Sequence, residues 1–400
     1  MNIEKEEIKA LAHTFHKEAI SIRRIIHQNP ELAFEETKTA ALICEKLDSY
    51  GIPYQKNIAK TGVVGIIKGK NPDSFVVALR ADMDALPIKE ANQHTFVSKN
   101  EGVMHACGHD VHTTALLITA KILNTFKDRF EGSVKLIFQP SEEQLPGGAQ
   151  AMIKEGVLEN PRPDMIIGQH VYPDLPAGTM GLRPGRYMAS TDELYLTVKG
   201  KGGHGALPDK NIDPVLIAAH IITAMQQIVS RHANPGMPTV VSFGRFIADG
   251  QVNIIPNQVE LHGILRTFDE QWRNAARKKI TKLATEMATA MGGSCEVKIV
   301  KGYPVLINHQ GVTRQTKAFA IEYLGQEYVK DLDIRMTAED FAYYSHEIPA
   351  CFYRLGTRNE KKGIVSGLHT ATFDVDESSL ETAPGLMSWI VLNHLKNKSI

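Results

Sequence analysis

Five short segments carry side chains that bind cations or move protons. They are Arg80-Ala81-Asp82-Met83-Asp84, Met104-His105-Ala106-Cys107-Gly108-His109-Asp110-Val111-His112, Gln139-Pro140-Ser141-Glu142-Glu143, Gln169-His170 and Gly367-Leu368-His369-Thr370. Carboxylates, imidazoles and a thiol are the ligand types that hold zinc or a similar divalent ion. Singly, each has a plainer explanation. A lone cysteine in a reduced compartment is usually core, single histidines cap helices or face solvent, and two glutamates after a strand usually open an exposed helix. Their shared position points to chemistry, because each segment follows or adjoins an apolar, β-rich run.

Those runs are Val63 to Ile67, Phe75 to Leu79, Val134 to Phe138, Met165 to Gly168 and Cys351 to Leu355, separated by helical patterns such as Thr113 to Phe126 and Ala149 to Leu158. Buried strands alternating with helices predict an α/β fold with a mostly parallel central sheet and helices on both faces. In such sheets ligands bind beyond the carboxyl ends of the strands, so the five segments are expected to converge on one rim. Two amphipathic helices precede the first strand, one through Ile8, Leu11, Phe15, Ile22 and Ile25, the next from about Glu36 to Tyr50.

After Tyr187 the texture changes. Glu193 to Val198 alternates like a half-exposed strand; a helix follows from Pro214 to about Arg231, strands at Thr239 to Phe246 and Val259 to Arg266, a helix from about Glu270 to Met291 and a strand at Glu296 to Val300. This β-α-β-β-α-β order predicts a ferredoxin-like domain inserted in the larger one. At 400 residues the chain exceeds one ordinary core. The expected division is 1–188 and 302–400 for the larger domain and 189–301 for the insert.

Composition narrows the partners. Lys plus Arg and Asp plus Glu both number 45, which disfavours nucleic acid and anionic membranes. Met1 to Lys9 is charged, no apolar run approaches a membrane span, and the four cysteines, Cys44, Cys107, Cys295 and Cys351, are scattered, so a cytoplasmic location is expected. Gly200-Lys201-Gly202-Gly203-His204-Gly205 matches G-x-G-x-x-G, but Pro208 intervenes before the next helix and no second strand follows at the required distance. A dinucleotide site is rejected there; the glycines are read as a sharp turn that presents His204.

The whole chain resembles the M20 metallopeptidase family, most closely its amidohydrolase branch of hippurate hydrolases, N-acyl-amino-acid deacylases and auxin-conjugate hydrolases. The segments that carry this are residues 78–87, 104–113, 138–143, 168–170, 199–208, 252–256, 339–341 and 368–370. The resemblance implies a phosphorylase/hydrolase-like catalytic domain with two divalent ions per subunit (Zn, Mn, Co or Ni). Cys107, His109, Glu143, His170 and His369 would be the ligands, Glu142 the general base, and Asp82 and Asp84 the residues behind them. It also implies an inserted lid that forms a homodimer or tetramer, His204 reaching the partner's site, and Asn253 and Arg266 meeting the substrate carboxylate. The wider family has His-x-Asp where this chain has Asp82-Met83-Asp84, and an aspartate in place of Cys107.

The expected reaction is hydrolysis of the amide bond of a small N-acyl-L-amino acid. Consecutive side chains in an extended stretch point opposite ways, so one of Glu142 and Glu143 can ligate while the other addresses a water. A small dipeptidase or an aminobenzoyl-glutamate-type hydrolase is the alternative within the family. Outside it stand a metal-free cysteine hydrolase using Cys107 and a non-catalytic binding protein.

Overall fold

The computed structural model describes residues 3–400. They cluster into two compact units, one comprising the chain up to Tyr187 with Ile307–Asp333 and Asp340–Ile400, the other Met188–Leu306 with Ile334–Glu339. The chain first forms α1 (Lys5–Gln28), α2 (Thr37–Ser49), β1 (Tyr54–Ile58), β2 (Gly62–Lys68), β3 (Val76–Asp82), α3 (His109–Thr125), β4 (Ser133–Gln139), α4 (Gly148–Lys154), β5 (Met165–Pro176), β6 (Met180–Leu182) and β7 (Gly185–Met188). There follow β8 (Ser190–Lys199), β9 (Gly203–His204), α5 (Pro214–Gln227), β10 (Thr239–Ala248), β11 (Ile254–Ile255), β12 (Gln258–Thr267), α6 (Glu270–Ala290) and β13 (Ser294–Lys301). The last stretch is β14 (Leu306–Asn308), α7 (Gln310–Leu324), β15 (Val329–Asp331), α8 (Ala342–Glu347), β16 (Ala350–Arg358) and α9 (Ser379–Asn397).

In the first unit an eight-stranded sheet runs β1-β2-β4-β3-β5-β16-β6-β15. Its centre, β4, β3, β5 and β16, is parallel. The expected mostly parallel sheet is present, and antiparallel pairs lie outside its centre: β1 to β2, β2 to β4, and β6 to β16. For β1 and β2 the physical reason is connection length, since Ala59 to Thr61 can only turn the chain back on itself, whereas a parallel neighbour needs a long crossover. The sheet is therefore mixed. Every residue of β3 and β4 is buried, as are all but the last of β16 and the first seven of β5. Helix α3 is almost wholly buried, polar residues of its first turn included, and packs with α1 and α9. Among the described residues no helix is long and apolar enough to cross a membrane.

The second unit has a four-stranded antiparallel sheet, β10-β12-β8-β13, carrying α5 and α6. The alternation in β8 buries Leu194, Leu196 and Val198, which pack with Ile217, Ile221, Ala276 and Ile280 of the helices. A buried ion pair secures α6 to this sheet. Arg273 donates from Nε and Nη2 to Asp192 at 2.9 and 2.8 Å, and from Nη2 also to the Thr191 and Gly302 carbonyls. Removing Asp192 leaves the buried Arg273 with only the partly exposed Glu270 as counter-charge. Asp192→Ala is therefore expected to destabilise this unit by about 3–5 kcal/mol. Hydrogen exchange should show the loss in β8 and α6, and unchanged protection there would refute it.

Candidate active site

The first unit brings four of the five segments together around the ends of its central strands. β3 ends at Asp82 and the chain runs on to Asp84; β4 ends at Gln139 before the turn to Glu143; Gly108 leads into α3 at His109. His170 lies inside β5, which extends to Pro176 and not only to Gly168. The fifth segment joins them through a loop beyond β16: His369 adopts φ +60° and donates its backbone N–H to the Ala106 carbonyl at 2.8 Å. Gly108 has φ +80°, and a Cβ there would lie 2.4 Å from the Val171 side chain. Only glycine permits that approach.

Donor atoms of Cys107, His109 and His170 lie within 4.8 Å of one another, as do those of Cys107, Glu143 and His369, and those of His109, Glu142 and Glu143. The first two groups share one thiol. The hydrogen bonds around them decide which nitrogens are free. His170 Nδ1 is 2.7 Å from the Val171 carbonyl, which can only accept, so Nδ1 carries the proton and Nε2, 3.3 Å from Cys107 Sγ, offers its lone pair. Burial, with Arg354 and His112 beside it, holds this ring neutral, well below the usual histidine range. His109 Nδ1 lies 3.1 Å from Asp84, while its Nε2 is buried without a hydrogen-bond partner. His369 Nε2 is 3.1 Å from Glu143 Oε1.

His112 is different. Its Nδ1 meets Asp82 at 2.5 Å and its Nε2 accepts from the Val171 N–H at 2.8 Å, so neither nitrogen is left for an ion. His105 is buried with neither ring nitrogen hydrogen-bonded, and burial lowers its pKa to about 4. Burial and the nearby carboxylates of Glu143, Glu142 and Asp82 push the Cys107 thiol well above its ordinary range. A nucleophilic cysteine needs the reverse. The donor set fits a divalent cation, which would bind the thiolate and use the orphaned His109 nitrogen.

The loop holding Glu142 is fixed by two buried carboxylates. Glu36 accepts the Ser141 N–H at 2.8 Å, and Asp84 accepts those of Glu142 and Glu143, each at 2.9 Å. Three successive amides are thereby committed, which holds Ser141 at φ +51°. Glu142 Oε1 accepts from the Asp340 N–H at 3.3 Å. Asp340, which sequence reasoning left without a role, also accepts from Arg80 at 2.6 Å, from Gln139 and from the Ala149 N–H. Its only sequence signal is that it lies in a matched motif. Glu36 had none, being far away in sequence and read as a helix start.

His204, Asn253 and Arg266 belong to the second unit. His204 and Asn253 share a small ribbon, in which β9 pairs with β11 and the Gly205 N–H donates to the Asn253 carbonyl at 2.9 Å. His204 is exposed. Arg266 on β12 donates to the Met336 carbonyl at 3.3 Å and has no carboxylate partner among the described residues. Burial lowers its pKa.

Comparison with known proteins identifies relatives along most of the chain. The model of Peptidase family M20/M25/M40 matches residues 78–392. The N-acyl-L-amino acid amidohydrolase of Geobacillus stearothermophilus is 42% identical over 305 residues, covering 76% of this chain and 82% of that protein. N-acetylcysteine deacetylase of Bacillus subtilis (strain 168) is 37% identical over 374 residues, covering 92% and 94%. Among solved structures, the Bacillus subtilis YXEP protein, a dinuclear metal binding peptidase from the M20 family, superposes with a TM-score of 0.82 at 34% identity, covering 96% of this chain and 99% of that one.

The Asp84 contacts lead to a direct expectation. Asp84→Asn keeps the shape but offers one acceptor where three donors converge, and its amide faces a backbone N–H. Metal affinity should fall by roughly 10–100-fold, the usual effect of losing a carboxylate behind a ligating histidine. Competition with a chromophoric chelator measures this, and unchanged affinity would remove Asp84 from the site's support.

Proposed function

The chain belongs to Peptidase family M20/M25/M40, and we propose that it is a metal-dependent amidohydrolase that splits N-acyl-L-amino acids into a carboxylic acid and a free amino acid. The observation that carries this reading is the pair of donor groups meeting at Cys107, with the carboxylate of Glu142 alongside. Cys107, His109 and His170 would hold one ion, and Cys107, Glu143 and His369 the other. The relatives named as N-acyl-L-amino acid amidohydrolase and N-acetylcysteine deacetylase support the substrate class. When bound, the ions supply Lewis acidity, polarising the amide carbonyl and acidifying water.

The residues of the chain divide the remaining work. Glu142, held by the Asp340 N–H, takes the proton of the attacking water and returns it to the leaving amine. His204 donates to the oxyanion as it develops. Arg266, a half-buried cation facing only a carbonyl, and Asn253 receive the substrate carboxylate. We place His204 at the site of a neighbouring copy, with the second unit forming a homodimer. Its position on an exposed glycine-rich ribbon supports this. Four unpaired cysteines support a cytoplasmic location.

Chelation should abolish hydrolysis of an acetyl or benzoyl amino acid, with re-addition of Zn, Mn, Co or Ni restoring it. Glu142→Gln should remove turnover at nearly unchanged metal content, whereas Glu143→Gln should lose metal. Elemental analysis showing the opposite would exchange the two roles, and full activity without metal would end the proposal.

The shared site has its own test. Glu142→Gln and His204→Ala homodimers should each be nearly inactive. Reassorting equal amounts makes half the dimers mixed, each with one intact site of two, so about a quarter of wild-type activity should return. No recovery after verified exchange would confine His204 to its own chain.

A further inference from the structure

A second set of cation ligands lies apart from the donor groups described above. His27 projects from the last turn of α1, and Glu90 and His94 stand on the irregular segment between Asp84 and Met104. One ligand atom from each lies within 4.8 Å of the other two. Glu90 Oε1 is 3.2 Å from His27 Nε2 and 3.3 Å from His94 Nε2. Ligands at about 2.0–2.2 Å from one tetrahedral zinc stand about 3.3–3.5 Å apart. The spacing is thus that of neighbouring ligands on one ion.

Three further features distinguish this group from an ordinary ion pair. Both His94 ring nitrogens are buried and unbonded, so the 3.3 Å approach to Glu90 is not a hydrogen bond. The ring is also held in place, stacked on Phe96 with centroids 3.7 Å apart and planes 11° apart. His27 Nδ1 lies 2.8 Å from Asp110 Oδ2, which Arg23 keeps as a carboxylate, so Nδ1 donates there and Nε2, hydrogen-bonded to Glu90, is the nitrogen that would release its proton to bind the ion. A carboxylate behind the far nitrogen of an imidazole is the usual support of a ligating histidine.

The remaining contacts leave the group intact. Glu90 Oε2 accepts the Ser98 N–H at 2.6 Å and Oε1 accepts from Asn92 at 3.1 Å, fixing the carboxylate. The nearest cations, Arg23 and Arg24 over the Phe96 ring, are neutralised by Asp110, Asp374 and Glu377. We infer that His27, Glu90 and His94 form an auxiliary site for a zinc-like divalent ion, distinct from the two ions of the catalytic centre. Water would complete the tetrahedron. Bound there, the ion would cross-link α1 to the loop that leads into the Cys107 segment, a structural role and not a catalytic one.

The test is a difference in zinc stoichiometry. Metal-depleted wild-type protein and His94→Leu are titrated with Zn²⁺ against a chromophoric chelator. Wild type should take up one equivalent per chain more than H94L, and H94L should hydrolyse amides at a rate within about twofold of wild type once its catalytic ions are restored. Glu90→Gln, which keeps an acceptor for the Ser98 N–H, should lose the same equivalent and serves if H94L folds poorly. Equal uptake by wild type and both variants overturns the site, leaving His27 as a protonated bridge between Asp110 and Glu90. Because the reading is a difference, loss of the catalytic ions would lower every total without hiding it.

Discussion

Asp84 gathers three donors onto one buried carboxylate: the Glu142 and Glu143 backbone N–H groups and the ring of His109. The donors come from two functional elements. His109 is a candidate ligand at the start of α3, while the two amides orient a candidate base and a second ligand after β4. A carboxylate can satisfy all three only from one position, so the end of β3 sets the spacing between α3 and the β4 turn. Glu36 extends the arrangement by taking the Ser141 amide, together with the Phe34 N–H and the Thr61 hydroxyl.

Behind this stands a layer of buried charge that an apolar core would replace more cheaply. Arg80 bonds Asp82, Asp340 and Gln139, all inside the protein. Buried ion pairs contribute little to net stability because desolvation offsets the attraction. Their value here is geometric. Asp82 is held by Arg80 on one oxygen and fixes His112 on the other, and His112 in turn fixes Val171, whose carbonyl orients His170. A chain of directional bonds thereby runs from β3 to a candidate ligand on β5. A hydrophobic replacement could fill the volume, but it could not choose a tautomer.

Much of this was legible in the sequence because it follows from periodicity. The apolar runs at Val134 to Phe138 and Cys351 to Leu355 became central strands, and the alternation at Glu193 to Val198 became β8. The candidate ligands could be listed because ligand chemistry is written in residue type. What stayed hidden depends on pairing between distant segments. β1, with its polar Gln55-Lys56-Asn57, and the short β6 and β15 carry too few apolar residues to announce themselves, so the antiparallel flanks of the sheet were missed. Glu36 and Asp340 take their meaning from amides more than a hundred residues away, which no local pattern encodes. His112 shows the converse: its type suggested a ligand, and only its two hydrogen bonds identify it as a support.

The titration behaviour of the site makes its own case for a cation. Burial and neighbouring carboxylates push the Cys107 thiol upward, while Asp82 and Asp84, against the opposing effect of burial, raise His109 to about 10. Each shift favours the protonated form, in which neither residue can ligate. Burial is the larger cause for the thiol, but both shifts share the carboxylates that line the site, and protons are one way to compensate that negative charge. A divalent cation is the other. It would satisfy the carboxylates directly and release the protons from the sulfur and from His109 Nε2. Substituting neutral residues for the ligands would remove the need for either, so the excess charge is best understood as an affinity for metal that folding sets in place before the ion arrives.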